Sequence, residues 1–219
     1  MTIKAEKPNA LVFTSLAHFI NDGGLFIVPL IFAILASEEI VSPIIIAIMP
    51  VVFYGASLLL SIYVANISDR TQRHGLLIGF GLALLSIGLM GFAISMNCAS
   101  GAVLEALLLI SAFVAGLGSA FYHPIGAAIL QYTYFESGMG KALGINGSMG
   151  SLGRALYPSI FFGIASLITE NGSIIFLGFL GISASIVISF CLRNKQNSAM
   201  SKNETQSRVA GSIKERITK

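Results

Sequence analysis

The apolar positions of this chain come in long unbroken runs. They show neither the spacing of a surface helix nor the alternation of a half-buried strand. Six runs stand out, approximately 10–35, 44–66, 75–96, 102–130, 141–168 and 172–192. A hydrocarbon layer about 30 Å thick takes roughly 20 residues of α-helix to cross, and each run reaches that length. The segments between them, "SEEIVSP", "SDRTQRH", "NCASG", "YTYFESGMG" and "TENGS", are short and polar or turn-like, so successive helices should lie antiparallel. Transmembrane barrels need short alternating segments, a different pattern. The predicted fold is an all-α integral membrane bundle of six transmembrane helices over residues 10–192. It is flanked by a short N-terminal segment, 1–9, and a polar basic stretch, 193–219, either a tail or the start of a loop to a further bundle.

Composition strengthens this reading. The 219 residues are 55% hydrophobic and only 11% charged, with a mean hydropathy of +0.84, whereas soluble domains are about 25% charged. A core of this size still leaves much surface exposed, so burial alone does not account for so apolar a chain. The 23 glycines suit closely packed membrane helices. Charge then sets orientation. With both termini cytoplasmic, the inner side holds Lys4, Lys7, Arg70, Arg73, Lys141 and the tail residues Arg193, Lys195, Lys202, Arg208, Lys214, Arg216 and Lys219. The outer loops hold Glu38, Glu39 and Glu170 and neither Lys nor Arg, so the expected location is the cell membrane with N-in, C-in topology. Lys4 and Lys7 before an apolar run imitate a signal peptide. That run exceeds the usual length of about 7–15 residues and contains His18 and Asp22, so cleavage is not expected. Cys98 and Cys191 fall at opposite ends of their helices, too far apart for a disulfide, and are expected to serve packing. In the tail, Val209, Ile213 and Ile217 recur among Lys and Arg. They fit either a short amphipathic helix on anionic lipid or a disordered segment.

Shifting the chain by about 95 residues lays runs 1, 2 and 3 on runs 4, 5 and 6. Pro29 then meets Pro124, Gly23 meets Gly118, and Gly55 meets Gly150. Three helices followed by three helices must be oppositely oriented in the membrane, so an inverted 3+3 repeat is expected, an arrangement found in secondary transporters.

Against this background the polar residues within the spans carry the chemistry. A charge at a helix centre costs about 2.5–3.5 kcal/mol. Asp22 and Arg154 each lie roughly 13 residues from the cytoplasmic start of their helices, about 20 Å deep, and are expected to pair. Such a pair either ties two helices together or makes Asp22 a protonatable carboxylate whose charge is coupled to conformation. Asn21 adjoins it. His18, one turn before Asp22, and His123 are expected to form a second layer about 12–14 Å deep. They serve either as structural hydrogen-bonders or on a substrate or proton path. Two histidines alone are not a metal site and neither cysteine is placed to complete one, so no metal or other cofactor is expected. Glu105, near the outer end of its helix, is expected to be solvated at the interface.

The fifth run reads "GKALGINGSMGSLGRALYP", with Gly144, Gly147, Gly150 and Gly153 every three residues and Pro158 beyond them. Small residues allow close helix approach and proline bends the helix, which suits either static packing or an element that rocks against a partner. Pro29, Pro50 and Pro124 are expected to kink helices 1, 2 and 4.

These residues resemble the major facilitator superfamily. The loop "ANISDRTQRH" is similar to its cytoplasmic signature G-x-x-x-D-R-x-G-R-R. Asp69, Arg70 and Arg73 match, Ala65 and Gln72 replace the glycines, and His74 replaces the last basic residue. The stretches "HFIND", "GLGSAFYHPIG" and "GSMGSLGRALYP" resemble helices 1, 4 and 5 of the branch typified by fosmidomycin resistance proteins. Tyr122, His123, Pro124 and Gly126 fit that branch, while Ile125 stands where it has Glu and Tyr157 where it has Gly. The superfamily's helix-4 arginine is absent, with Ala112 near its place.

The resemblance implies a secondary transporter moving a small organic solute or drug by alternating access, coupled to protons. Its substrate and proton pathway would comprise Asp22, Arg154, His18, His123, Asn21, Tyr122 and Asn146, with a conformational latch at Asp69, Arg70 and Arg73. Family members normally have twelve helices in two bundles. This chain is expected to supply one, as a fragment or as a half that pairs with a second bundle, identical or different. The alternative is a half-length membrane protein with an assembly role and no transport of its own. Enzyme motifs such as HExxH and GxSxG are absent, as are phosphate loops and nucleic-acid patches, so the expected partners are a small-molecule substrate, protons, the lipid bilayer and a second bundle.

Overall fold

The computed structural model describes residues 6–134 and 138–192. The expectations about the tail, including its amphipathic stripe, lie outside the described residues, as does Lys4. The described residues are helical and contain no strand: α1 (Glu6–Ser37), α2 (Pro43–Thr71), α3 (His74–Cys98), α4 (Gly101–Ser119), α5 (Tyr122–Tyr134) and α6 (Met139–Ala165), followed by α7 (Glu170–Leu192).

Five stretches are long and apolar enough to cross a membrane: Asn9–Ser37, Pro43–Thr71, His74–Cys98, Gly101–Tyr134 and Glu170–Leu192. The remaining predicted run forms α6, 27 residues long but diluted by glycine, Asn146 and Arg154. The outward faces carry large apolar side chains, among them Ile44, Val51, Leu58 and Ile62 on α2 and Phe176, Phe179, Val187 and Phe190 on α7. Apolar exposure on this scale marks a surface that meets lipid or another protein.

The fourth predicted run departs from expectation. It is one span in length but two helices in fact, interrupted at Ala120 and Phe121. There the amides donate to carbonyls three residues back, Ala120 to Leu117 at 3.3 Å and Phe121 to Gly118 at 3.5 Å. Pro124 has no N–H to offer the Ala120 carbonyl, so the α-helical ladder fails one turn before the proline. By contrast, α1, α2 and α6 continue through Pro29, Pro50 and Pro158. The interruption places Tyr122 and His123 at the first residues of α5.

Packing follows the glycines. Lipid tails are as apolar as leucine, so cohesion within a membrane comes from close fit rather than water exclusion. A Cβ at Gly118 would meet the backbone of Leu85 and Gly81, and one at Gly116 would meet the Phe53 carbonyl. These two positions draw α4 onto α3 and α2. The buried apolar side chains form two clusters. One holds Ile27, Phe32, Phe53, Phe92, Leu108 and Phe161. The other holds Ala17, Val64, Ile78, Phe121, Ile125 and Ile188. On α1 the stretch from His18 to Asp22 lies between the two.

Several expectations are corrected here. Cys98 is exposed, so it does not serve packing, while Cys191 is partly buried; both are free thiols. Glu105 is not simply solvated: its Oε1 accepts the Ser42 amide at 2.8 Å and ties the start of α2 to α4. The expected loop is shorter than predicted: Asp69 and Arg70 lie in the last turn of α2 and Arg73 just before α3, all three exposed and in no ion pair among the described residues. Gln72, standing where the resembled signature has glycine, closes α2 in the left-handed region at φ 54°. That conformation disfavours a side chain. Gln72→Gly is therefore expected to stabilise the protein by about 0.5 kcal/mol, the relief exceeding the added freedom of the unfolded glycine. Thermal unfolding in detergent measures it, and a lowered midpoint would show that the Gln72 Nε2 bond to the Asp69 carbonyl, at 2.8 Å, outweighs the strain.

Candidate functional site

Asp22 is 1% exposed, and four donors converge on its carboxylate. Arg154 Nη1 lies 3.0 Å from Oδ2 and His18 Nε2 lies 3.3 Å from the same oxygen. His123 Nε2 lies 3.4 Å from Oδ1, and Asn21 Nδ2 donates to Oδ1 at 3.2 Å. An ionised carboxylate offers about four lone-pair sites, so this one is saturated. The expected pairing of Asp22 with Arg154 is present. The two histidines do not stand apart from that pair: both imidazoles reach the carboxylate, because His18 sits one helical turn away and the broken α4–α5 span brings His123 in from the other side.

A second shell of contacts sets these groups. His18 Nδ1 lies 2.8 Å from the Asn146 carbonyl and 3.2 Å from Asn146 Nδ2. The His18 ring stacks on Tyr122 with centroids 4.6 Å apart and meets His123 edge-on at 5.4 Å. The Tyr122 hydroxyl shares its proton between the Thr14 carbonyl and Asn146 Oδ1, each at 2.9 Å. Asn146 thus links α6 to α5 and, through its carbonyl, to α1. Arg154 Nη2 donates to Ser151 Oγ at 3.1 Å. Neither Thr14 nor Ser151 was anticipated, although the i, i+3 spacing of Ser151 and Arg154 was available as a signal.

The cluster is buried on one side and open on the other. Asn21 and Asp22 are inaccessible, whereas His123 is 56% and Arg154 45% exposed. The exposed partners come from α5, through His123, and α6, through Arg154. That helix buries one stripe, Ala142, Asn146, Gly150, Gly153, Tyr157 and Phe161, and leaves Ser148, Ser151, Arg154 and Ser159 exposed. The glycine ladder divides accordingly. A Cβ at Gly150 would meet the His18 ring and one at Gly153 the Phe19 carbonyl, so these two hold α6 against α1. Among the described residues nothing lies within 4 Å of a Cβ at Gly144 or Gly147. Tyr157, which replaces a glycine of the resembled motif, lies over Gly23, so the bulk gained on α6 is matched by the side chain missing from α1.

Asn21 Oδ1 is buried and has no hydrogen-bond partner among the described residues. A carboxylate fixed by one guanidinium and two imidazoles, half open to the exterior of the bundle, can exchange one of its partners for a proton, a cation or a charged solute.

No curated protein and no solved structure matches the chain. The family model for the Major Facilitator Superfamily matches residues 14–217, which takes in the whole of this cluster and the loop between α2 and α3. With that match spanning most of its length, the chain belongs to the major facilitator superfamily of membrane transporters.

Proposed function

We propose that the chain forms one six-helix bundle of a secondary transporter that moves a small organic solute by alternating access, coupled to protons through Asp22. The observation that carries this reading is the Asp22 carboxylate itself. It is buried and charge-paired, yet two of its partners lie on the open face of the bundle. A purely structural tie needs no such opening. In this reading Asp22, Arg154, His18, His123, Asn21, Tyr122 and Asn146 line the pathway, and the polar face of α6 borders a cavity closed by a second bundle, from another copy or another chain. The motifs similar to fosmidomycin resistance proteins favour solute export. The helix boundaries support the inverted repeat: displaced by about 95 residues, Glu6–Ser37, Pro43–Thr71 and His74–Cys98 fall on 101–132, 138–166 and 169–193, close to the observed helices. The charge bias supports cytoplasmic termini, with Asp69, Arg70 and Arg73 as a latch that engages in another conformation or against the second bundle.

Alternating access is testable without knowing the solute. In a background with Cys98 and Cys191 replaced by serine, a cysteine introduced by Ser148→Cys on the open face of α6 is expected to react with membrane-impermeant thiol reagents added from either side. Reaction from one side only, or only with lipid-soluble reagents, would favour the static assembly role instead.

A further inference from the structure

His18, Asp22 and His123 present ligand atoms that all lie within 4.8 Å of one another. We propose that these three residues bind a single divalent transition-metal ion of the zinc type, in exchange with the Arg154 guanidinium. The sequence alone offered two histidines; the fold supplies the carboxylate as the third ligand.

The geometry supports the assignment. In a tetrahedral zinc site with bonds of about 2.0–2.1 Å, neighbouring ligand atoms lie about 3.3–3.4 Å apart. The separations here are 3.3 Å from His18 Nε2 to Asp22 Oδ2 and 3.4 Å from His123 Nε2 to Oδ1, with one ligand atom from each residue inside 4.8 Å, so a small closure of the cluster brings them to that spacing. His18 is oriented as metal-bound imidazoles are, with Nδ1 against a backbone carbonyl at 2.8 Å and Nε2 directed at the site. Two nitrogens and one oxygen select a borderline transition metal over magnesium or calcium, which require mostly oxygen. The fourth position falls on the open side, where the exposed His123 leaves a path for the ion and for a water or solute ligand.

Arg154 is the competitor. Its guanidinium occupies the Asp22 oxygen that also faces His18, and its charge opposes a dication there. It is 45% exposed and can withdraw toward Ser151, to which it is already bonded. The ion and the guanidinium are alternative occupants of one carboxylate.

Binding is measured on the purified full-length chain in detergent, with both cysteines replaced by serine, by zinc titration against a chromophoric chelator and by the visible spectrum of bound cobalt(II). The expected result is one zinc per chain and the absorption of four-coordinate cobalt with nitrogen and oxygen ligands. His123→Ala, at an exposed position whose folding is checked by thermal unfolding, is expected to weaken binding about a hundredfold. Arg154→Ala is expected to tighten it about tenfold by removing the competing charge. The proposal is overturned by the absence of stoichiometric zinc binding in both the unsubstituted chain and Arg154→Ala, as for a site reserved for protons. Zinc binding that His123→Ala leaves unchanged overturns it equally. Neither measurement depends on transport, so the two-sided access proposed above stands or falls separately.

Discussion

Asp22→Asn is expected to abolish proton-driven solute accumulation, lowering it by about a hundredfold or more, and to destabilise the bundle as well. Breaking a buried charge pair costs about 3–5 kcal/mol, and each 1.36 kcal/mol corresponds to about tenfold in a rate. The lower end applies here because Arg154 is 45% exposed and relaxes into the open face. The geometry explains why so conservative a change is severe. Four donors converge on two carboxylate oxygens. Asparagine keeps one oxygen and turns an amide N–H₂ toward groups that themselves donate, so half of the cluster loses its acceptor. Measurements in liposomes under an imposed pH gradient, paired with thermal unfolding in detergent, separate the two effects. A variant that unfolds earlier yet still accumulates solute at a permissive temperature would reduce Asp22 to a structural tie.

The charge swap sharpens this. For an isolated ion pair, exchanging the partners as Asp22→Arg with Arg154→Asp restores much of what either single change removes. Here it is expected to fail. His18 and His123 remain beside position 22 and would face a guanidinium, while the displaced carboxylate on α6 would have, besides that guanidinium, only Ser151 of the present contacts of Arg154. Rescue by the swap would show that the imidazole contacts contribute little.

How much of this was legible in the sequence differs between elements for physical reasons. The spans were readable because a bilayer imposes length and apolarity on every crossing helix. Only α6 blurred, its glycines and Arg154 diluting the signal. The Asp22–Arg154 pair was reachable by counting depth along two helices, since the rise per residue is nearly constant. The same counting put the two histidines at one level but did not reveal their contacts with Asp22. His123 follows a break at Ala120 and Phe121 that depth arithmetic on a continuous helix cannot anticipate, and His18 reaches its own helix's next turn. The Pro124 signal was present, but proline removes the bond to the carbonyl four residues earlier, so the break precedes it. Glycine spacing was also ambiguous. Gly144 and Gly147 share a periodicity with Gly150 and Gly153, and only the course of α1 decides which of them touch a neighbour. The Tyr157–Gly23 match lies beyond any local pattern, because it joins residues brought together by that same course.

Gly153→Leu is expected to be the most destructive single change on α6. A Cβ at this position would meet the carbonyl oxygen of Phe19, a backbone atom of α1 that no rotamer change can move aside. Overpacking against yielding side chains costs about 1–3 kcal/mol, and a rigid backbone contact falls at or above the upper end. The consequence reaches the cluster, since Arg154 is the next residue and Phe19 adjoins His18. Forcing α1 and α6 apart lengthens the 3.0 Å contact between Arg154 and Asp22 and the 2.8 Å contact between His18 and the Asn146 carbonyl together. Gly147→Leu adds the same bulk to the same helix where nothing lies within 4 Å, so it is expected to leave the unfolding midpoint nearly unchanged. Yet Gly147 lies on α6 beside the exposed Ser148, bordering the face assigned to the cavity and the second bundle. If that face closes against another bundle during transport, Gly147→Leu leaves a stable protein whose cysteine at position 148 is labelled from one side of the membrane only. If α6 faces lipid throughout, the two leucines differ in stability alone, and the labelling pattern at position 148 is the same with and without the substitution at Gly147.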